Sequence, residues 1–202
     1  MRRLAPEDLA RLQEALSRSQ TGSSDYDLNP GMNLPEGRKL RPAAVLIGLS
    51  EGTGGAELWL TKRPSLLRPH PGQIAFPGGK LDDTDPTPEH AALREAEEEI
   101  GLPRGLVTPL ARLPEHETVT GYAITPVLAR IEGDFSPRAE AGEVAEVFRV
   151  PFTHVADPAR YRIEKRLWQG QWRSYYTVPW GPYYIWGATA RILYGLANRL
   201  RP

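Results

Sequence analysis

Two hydrophobic periods alternate along this chain, and each change of period marks an element. Between Pro6 and Arg18 the apolar positions Leu9, Leu12, Ala15 and Leu16 recur at helical spacing, which predicts a short amphipathic helix with Pro6 in its first turn. Thr21 to Arg38 is rich in Gly, Ser, Asn, Asp and Pro and offers little to bury, so it reads as an extended linker or loop. Arg41 to Leu49 carries a compact apolar run of strand length, and Leu58 to Thr61, after a turn at Gly52 to Gly55, reads as its hairpin partner. A Pro- and Gly-rich loop, Pro64 to Gly79, leads into a helix from Pro88 to Ile100. Strands follow near Leu106 to Leu113 and Ile124 to Ile131. Val144 to Val150 reads as another strand, Pro151 to Val155 as a helical turn, and Gly187 to Leu200 as a helix with Ile192, Leu193, Leu196 and Leu200 on one side. No internal repeat is present. The order is mixed α and β, and it divides the chain into an N-terminal helix and linker, 1–38, and one domain, 39–202.

Composition narrows the chemistry. Lys plus Arg and Asp plus Glu each number 25, so the formal net charge is zero and no overall field attracts nucleic acid or an anionic membrane. Recognition must be local, and a small molecule is the expected partner. The chain has no cysteine, which excludes disulfides, thiolate metal sites, iron–sulfur clusters and cysteine nucleophiles. The apolar run Ala43 to Leu49 falls far short of the roughly 20 residues that span a bilayer. Met1-Arg2-Arg3-Leu4 lacks the apolar core of a secretory leader, and a cytoplasmic setting is expected.

The helix Pro88 to Ile100 has an unusual division of faces. At about 100° per residue, Arg94, Glu95, Glu98 and Glu99 share an arc of about 140°, while Leu93, Ala96 and Ile100 cluster opposite them. Carboxylates three and four apart repel one another, and Arg94 is the only cation in the segment. A divalent cation resolves that conflict. Oxygen ligands without cysteine favour Mg²⁺ or Mn²⁺ over Zn²⁺, and such ions bridge readily to phosphates. The competing reading is a solvated acidic helix face.

The flanking residues decide between these readings. Gly79, Asp85 and the run Arg94-Glu95-Ala96-Glu97-Glu98-Glu99-Ile100-Gly101-Leu102 resemble the Nudix box, matching its second half throughout with Ala96 as the small apolar residue. The first half departs from the pattern. Asp85 stands where the box has glutamate, and eight residues in place of seven separate it from Arg94. The resemblance implies an α/β (α+β) fold, an α/β/α sandwich with a mixed sheet and an acidic catalytic helix. It also implies metal-dependent hydrolysis of a diphosphate, with Glu95, Glu98 and Glu99 as metal ligands and Arg94 orienting a ligand glutamate. Glu98 is the first candidate for general base, with Glu143 and Glu146 as candidates outside the box. Gly78 and Gly79 allow the backbone to turn beside a phosphate.

The preceding loop points to a substrate. Thr61-Lys62-Arg63, Leu67-Arg68-Pro69-His70 and Gly72-Gln73-Ile74-Ala75-Phe76-Pro77-Gly78-Gly79 resemble, in order, the signature of the coenzyme A pyrophosphatase subfamily of Nudix hydrolases. Thr118 to Val127 and Ile185 to Ala190 resemble its later motifs, whereas Pro64 replaces an expected serine. The resemblance implies cleavage of coenzyme A and its derivatives into 4′-phosphopantetheine and adenosine 3′,5′-bisphosphate. Lys62, Arg63, Arg68, His70, Gln73, Gly78 and Gly79 are then the substrate-binding candidates, since arginine forks suit phosphate. Two alternatives stand beside this one: a Nudix enzyme acting on ADP-ribose, NADH or another nucleoside diphosphate derivative, and a non-catalytic nucleotide sensor. The intact acidic set argues against the sensor. Trp168 to Trp186 holds four of the five tryptophans, which reads as core strands or a homodimer interface ahead of a base-stacking site.

Overall fold

A computed structural model describes residues 12, 16, 21–32, 37–65, 72–168 and 170–201 of the 202-residue chain. The predicted N-terminal helix lies largely outside the described residues; within it, Leu12 and Leu16 are helical, and Leu12 is buried in the core.

The apolar run predicted as a strand forms the longest one, β2 (Arg41–Gly52), after a two-residue strand β1 (Ser23–Ser24). It turns at Gly52 to Gly55 into β3 (Gly55–Lys62), an antiparallel hairpin with Leu49 opposite Leu58. The short strands β4 (Ile74–Ala75) and β5 (Gly78–Lys80) follow; β4 pairs with the far end of β3 and β5 with Ala43 to Val45 of β2. Hairpin partners that separate in this way leave a mouth in the sheet, and the glycines of β5 line it. The helix α1 (Pro88–Ile100) packs beside that mouth, against β2 and β5.

Then come β6 (Val107–Arg112), β7 (His116–Glu117), β8 (Tyr122–Ile131) and β9 (Glu146–Pro151). β8 runs parallel to β2 over Arg41 to Leu49, and β6, β7 and β9 pair antiparallel, so the main sheet is mixed. A helical turn α2 (Phe152–Val155), a separate hairpin of β10 (Arg162–Trp168) and β11 (Gln171–Thr177), and the helix α3 (Gly187–Arg199) complete the order.

Strand alternation sends side chains to two cores. Ala44, Leu46, Trp59, Val127 and Ala129 meet Ala92, Ala96 and Ile100 of α1 on one face. Ile47, Leu49, Leu58, Leu60 and Leu128 meet Leu12, Leu193 and Leu196 on the other. This is the expected α/β/α sandwich. Small alanines on the buried side of α1 bring its axis close to the sheet, and so hold its acidic side at the mouth.

One reading differs. The segment expected to be a linker with little to bury is docked: β1 pairs in parallel with β7, and Asn29 is buried with its side chain bonded to Ser174. Its anchors include polar contacts with residues 93 to 164 positions away, which hydrophobic patterning does not register. Among the described residues, no helix is long and apolar enough to cross a membrane.

Candidate active site

Local chemistry defines α1 closely. Thr87 caps its first turn by accepting from the His90 amide at 3.3 Å, and Pro88 follows, where a missing N–H costs nothing. Gly101 ends it with φ 68°, a left-handed conformation natural to glycine, and donates to the Glu97 carbonyl at 3.0 Å. Both ends of the acidic face are thereby set by local contacts.

Arg94 organises one half of the site. Its guanidinium donates to the Asp85 carboxylate through Nη2 at 2.8 Å and Nε at 3.2 Å, to Glu95 at 3.0 Å, to Glu98 at 3.1 Å and to the Lys80 carbonyl at 3.1 Å. Asp85 is the anchor in this set. Its hydrogen bonds from Arg94 hold its carboxyl below the usual range, and the Asp82 amide adds a further donor at 3.0 Å. The aspartate that departs from the box pattern thus reaches Arg94 through the extra residue of loop. The fork that binds it also faces Glu95 and Glu98, as an orienting role requires.

Glu99 organises the other half. Only 7 % exposed, it accepts from the Gly78 amide at 3.1 Å, and burial pushes its carboxyl up to about 7. Glu95 and Glu143 push in the same direction, while Arg63 opposes them. Burial likewise raises Glu95, with Glu98 and Glu143 adding to the effect and Arg94 opposing it. Glu98 differs, its side chain being 58 % exposed at the rim. The glycines explain how the loop fits. A Cβ on Gly79 would lie 2.5 Å from the Glu95 carboxyl carbon, and one on Gly78 2.6 Å from Val45 Cα. A side chain at position 79 would displace the Glu95 carboxylate, and one at position 78 would strike the backbone of β2.

The structure distributes the remaining candidates unevenly. Arg63 has a buried Nε with no hydrogen-bond partner, while its backbone amide donates to the Gln73 carbonyl at 3.0 Å. Gln73 lies beside Gly187 at the start of α3. Lys62 belongs to the opposite side, because alternation along β3 puts it with Leu60 and away from Thr61. Glu143 joins the acidic set through its influence on Glu95 and Glu99, whereas Glu146 accepts from the Tyr183 hydroxyl. Arg68 and His70 lie outside the described residues. Asp82, 3.5 Å from Arg94, was not among the candidates; the Asp82-Asp83-Thr84-Asp85 turn was the available signal.

Among the described residues, no three carboxylate or imidazole side chains converge as a ligand set. The carboxylates instead turn to Arg94 and Gly78. The donor chemistry nevertheless suits a hard divalent cation: the neighbours are all oxygen donors, and Glu95, Glu98, Glu99 and Glu143 outnumber the cations Arg94 and Arg63.

Comparison with known proteins places this mixed-sheet sandwich, with its glycine loop pressed against an acidic helix, in one enzyme family. The NUDIX domain model matches residues 39–171. An uncharacterized Nudix hydrolase NudL of Enterobacter sp. (strain 638) is 43% identical over 166 residues, covering 79% of this chain and 83% of that protein. Its counterpart in Escherichia coli (strain K12) is 41% identical over 164 residues, with the same coverage. The crystal structure of the Nudix hydrolase RenU from M. smegmatis superposes with a TM-score of 0.50 at 28% identity, covering 63% of this chain and 79% of that one. The chain belongs to the NUDIX family, and it is a Nudix pyrophosphohydrolase, an enzyme acting on diphosphate linkages.

Proposed function

We propose that the chain hydrolyses the diphosphate of coenzyme A and its derivatives, giving 4′-phosphopantetheine and adenosine 3′,5′-bisphosphate, with Mg²⁺ or Mn²⁺. The observation that carries this reading is the segment Thr61 to Gly79. Its sequence resembles the coenzyme A pyrophosphatase signature; the Gly78 amide donates to the buried Glu99 carboxylate, and the charge of Arg63 acts on that carboxylate while its Nε has no partner.

In this reading Glu95, Glu98 and Glu99 hold the cation, which supplies positive charge to the diphosphate and makes nearby water more acidic. Arg94, fixed by Asp85, keeps Glu95 and Glu98 oriented. Glu98, at the rim, takes the proton from the attacking water, and Glu143 is the second candidate for that role. As the new P–O bond forms, the bond from phosphorus to the bridging oxygen breaks in line with it, and the departing phosphate carries away the electron pair. Arg63 binds the anion, its donor already desolvated and lacking only an acceptor. Glycines at 78 and 79 let the phosphate approach the loop backbone. Gln73 extends the substrate surface from the same loop, and Arg68 and His70, outside the described residues, are substrate-binding candidates by sequence.

The test is to incubate the protein with Mg²⁺ or Mn²⁺ and coenzyme A, dephospho-coenzyme A, ADP-ribose, NADH and diadenosine polyphosphates, and to identify the products. Coenzyme A should give the highest kcat/KM, with phosphopantetheine released. A preference for ADP-ribose or NADH would sink the coenzyme A reading while leaving a Nudix enzyme. Arg68→Ala should raise KM for coenzyme A more than for dephospho-coenzyme A, and equal effects would remove Arg68 from contact with the 3′-phosphate.

A further inference from the structure

The hairpin β10–β11 stands apart from the main sheet and exposes what a soluble surface usually hides. Ile163 is 55 %, Leu167 56 % and Trp172 69 % exposed. The register sets Leu167 opposite Trp172 and Ile163 opposite Tyr176, so these side chains share one face. Scattered apolar residues need no explanation, but three on one small hairpin with an open edge do.

The two edges of this hairpin are not equivalent. On β11, the Ser174 amide donates to Asn29 Oδ1 at 2.8 Å, and its carbonyl accepts from Asn29 Nδ2 at 2.9 Å. Both backbone groups of Ser174 therefore point away from β10. Antiparallel geometry then makes Lys165, its opposite number, a non-hydrogen-bonded pair whose N–H and C=O also point outward. The same holds for Ile163 and Leu167, two residues on either side. Along β10 the outward amides belong to the residues whose apolar side chains are exposed.

The order Arg162-Ile163-Glu164-Lys165-Arg166-Leu167-Trp168 is complementary to itself when reversed about Lys165. We propose that β10 pairs with β10 of a second copy of this chain about a two-fold axis through Lys165, joining two hairpins into one four-stranded antiparallel sheet. In that register Ile163 faces Leu167 of the other copy, and all the outward amides and carbonyls fall at hydrogen-bonded positions. On the opposite face Glu164 meets Arg166 twice, once on each side of the axis. A shift that moves the axis to Glu164 or to Arg166 sets like charges against each other there, so charge selects the register. Lys165 meets its own copy on the axis, one like-charge contact against two ion pairs, and its long exposed side chain can splay into water. The pairing is isologous and closes on itself.

Sedimentation velocity of the full chain over a range of concentrations should show a monomer–dimer equilibrium. Lys165→Pro removes an outward amide that the hairpin itself does not use, and should give a monomer with unchanged circular dichroism. Leu167→Glu, at an exposed position, should do the same. Glu164→Arg alone should raise the dimer Kd about tenfold by placing arginine against Arg166 in both pairs. Glu164→Arg combined with Arg166→Glu should restore it. A protein that is monomeric at every concentration, a dimer indifferent to Lys165→Pro and Leu167→Glu, or a double reversal that fails to recover would each overturn the proposal.

Discussion

Arg94 and Arg63 both act on the carboxylates of α1, yet their surroundings are opposite. Arg94 donates to Asp85, Glu95, Glu98 and the Lys80 carbonyl, so its guanidinium is satisfied within the chain. Arg63 influences Glu99 through charge, and its buried Nε has no acceptor. A buried donor left unpaired costs stability, whereas a guanidinium held between carboxylates cross-links the elements that carry them. The difference separates two uses of one residue type: Arg94 is spent on contacts within the acidic site, whereas Arg63 keeps a buried Nε without an acceptor, which the proposed function assigns to the substrate anion.

Mutation can break that distinction most forcefully at the glutamate Arg94 holds at the rim. Glu98→Gln should lower kcat by about 10²–10⁴-fold, the contribution of a positioned base, while an exposed position leaves Tm nearly unchanged. Turnover close to wild type would show that the metal and base lie on another face. Arg94→Ala should cost about 1–3 kcal/mol in denaturant titration, because it removes the partner of the half-buried Asp85 carboxylate as well as disorganising Glu95 and Glu98.

Arg63→Ala should leave stability within about 0.5 kcal/mol of wild type, since Nε makes no internal bond. Its effect belongs in KM, about tenfold upward, equivalent to roughly 1.4 kcal/mol of lost binding. If the two arginine variants destabilise equally, or if Arg63→Ala leaves KM untouched, the contrast between them is wrong.

The smallest effect concerns Glu89, whose carboxyl is held down to about 2, chiefly by its hydrogen bond from Arg112. A folded-state pKa below the ordinary value gives stability that is present above pH 4.5 and lost as pH falls through about 2. Because Arg112 is half exposed, the pair is worth under about 1 kcal/mol. Arg112→Ala should make the acid limb of a stability–pH profile slightly shallower and leave kcat at neutral pH unchanged. A loss of activity would mean that β6 helps to position α1.

The span of α1 was legible from Pro88 to Ile100 because everything that sets it is local: the Thr87 cap, Pro88, the apolar spacing and Gly101. The mixed sheet was legible in its long apolar strands for a similar reason, since burial on both faces leaves unbroken runs such as Ala43 to Leu49. The service of Asp85 to Arg94 was not legible, because reach across a turn depends on backbone path and not on count. The docking of Ser23 to Asn29 was hidden more deeply. It rests on contacts such as His116 with Ser23 at 3.0 Å and with Asp25 at 3.2 Å, polar pairs that no periodicity announces. The aromatic segment was only half readable: composition marked Trp168 to Trp186 as apolar, but Trp172 points into solvent on the free hairpin.

The side chain of Asn29 occupies both backbone groups of Ser174, and this has a consequence for assembly. A hairpin with one open edge can add one neighbour and then stops, whereas a hairpin open on both sides can keep adding neighbours. The amide of Asn29 and the bridge from Thr177 to Trp186 thus together close the outer edge of β11 to sheet growth. In the proposed pair, Asn29→Ala should uncover only the stretch at Ser174 and give a modest rise in concentration-dependent light scattering.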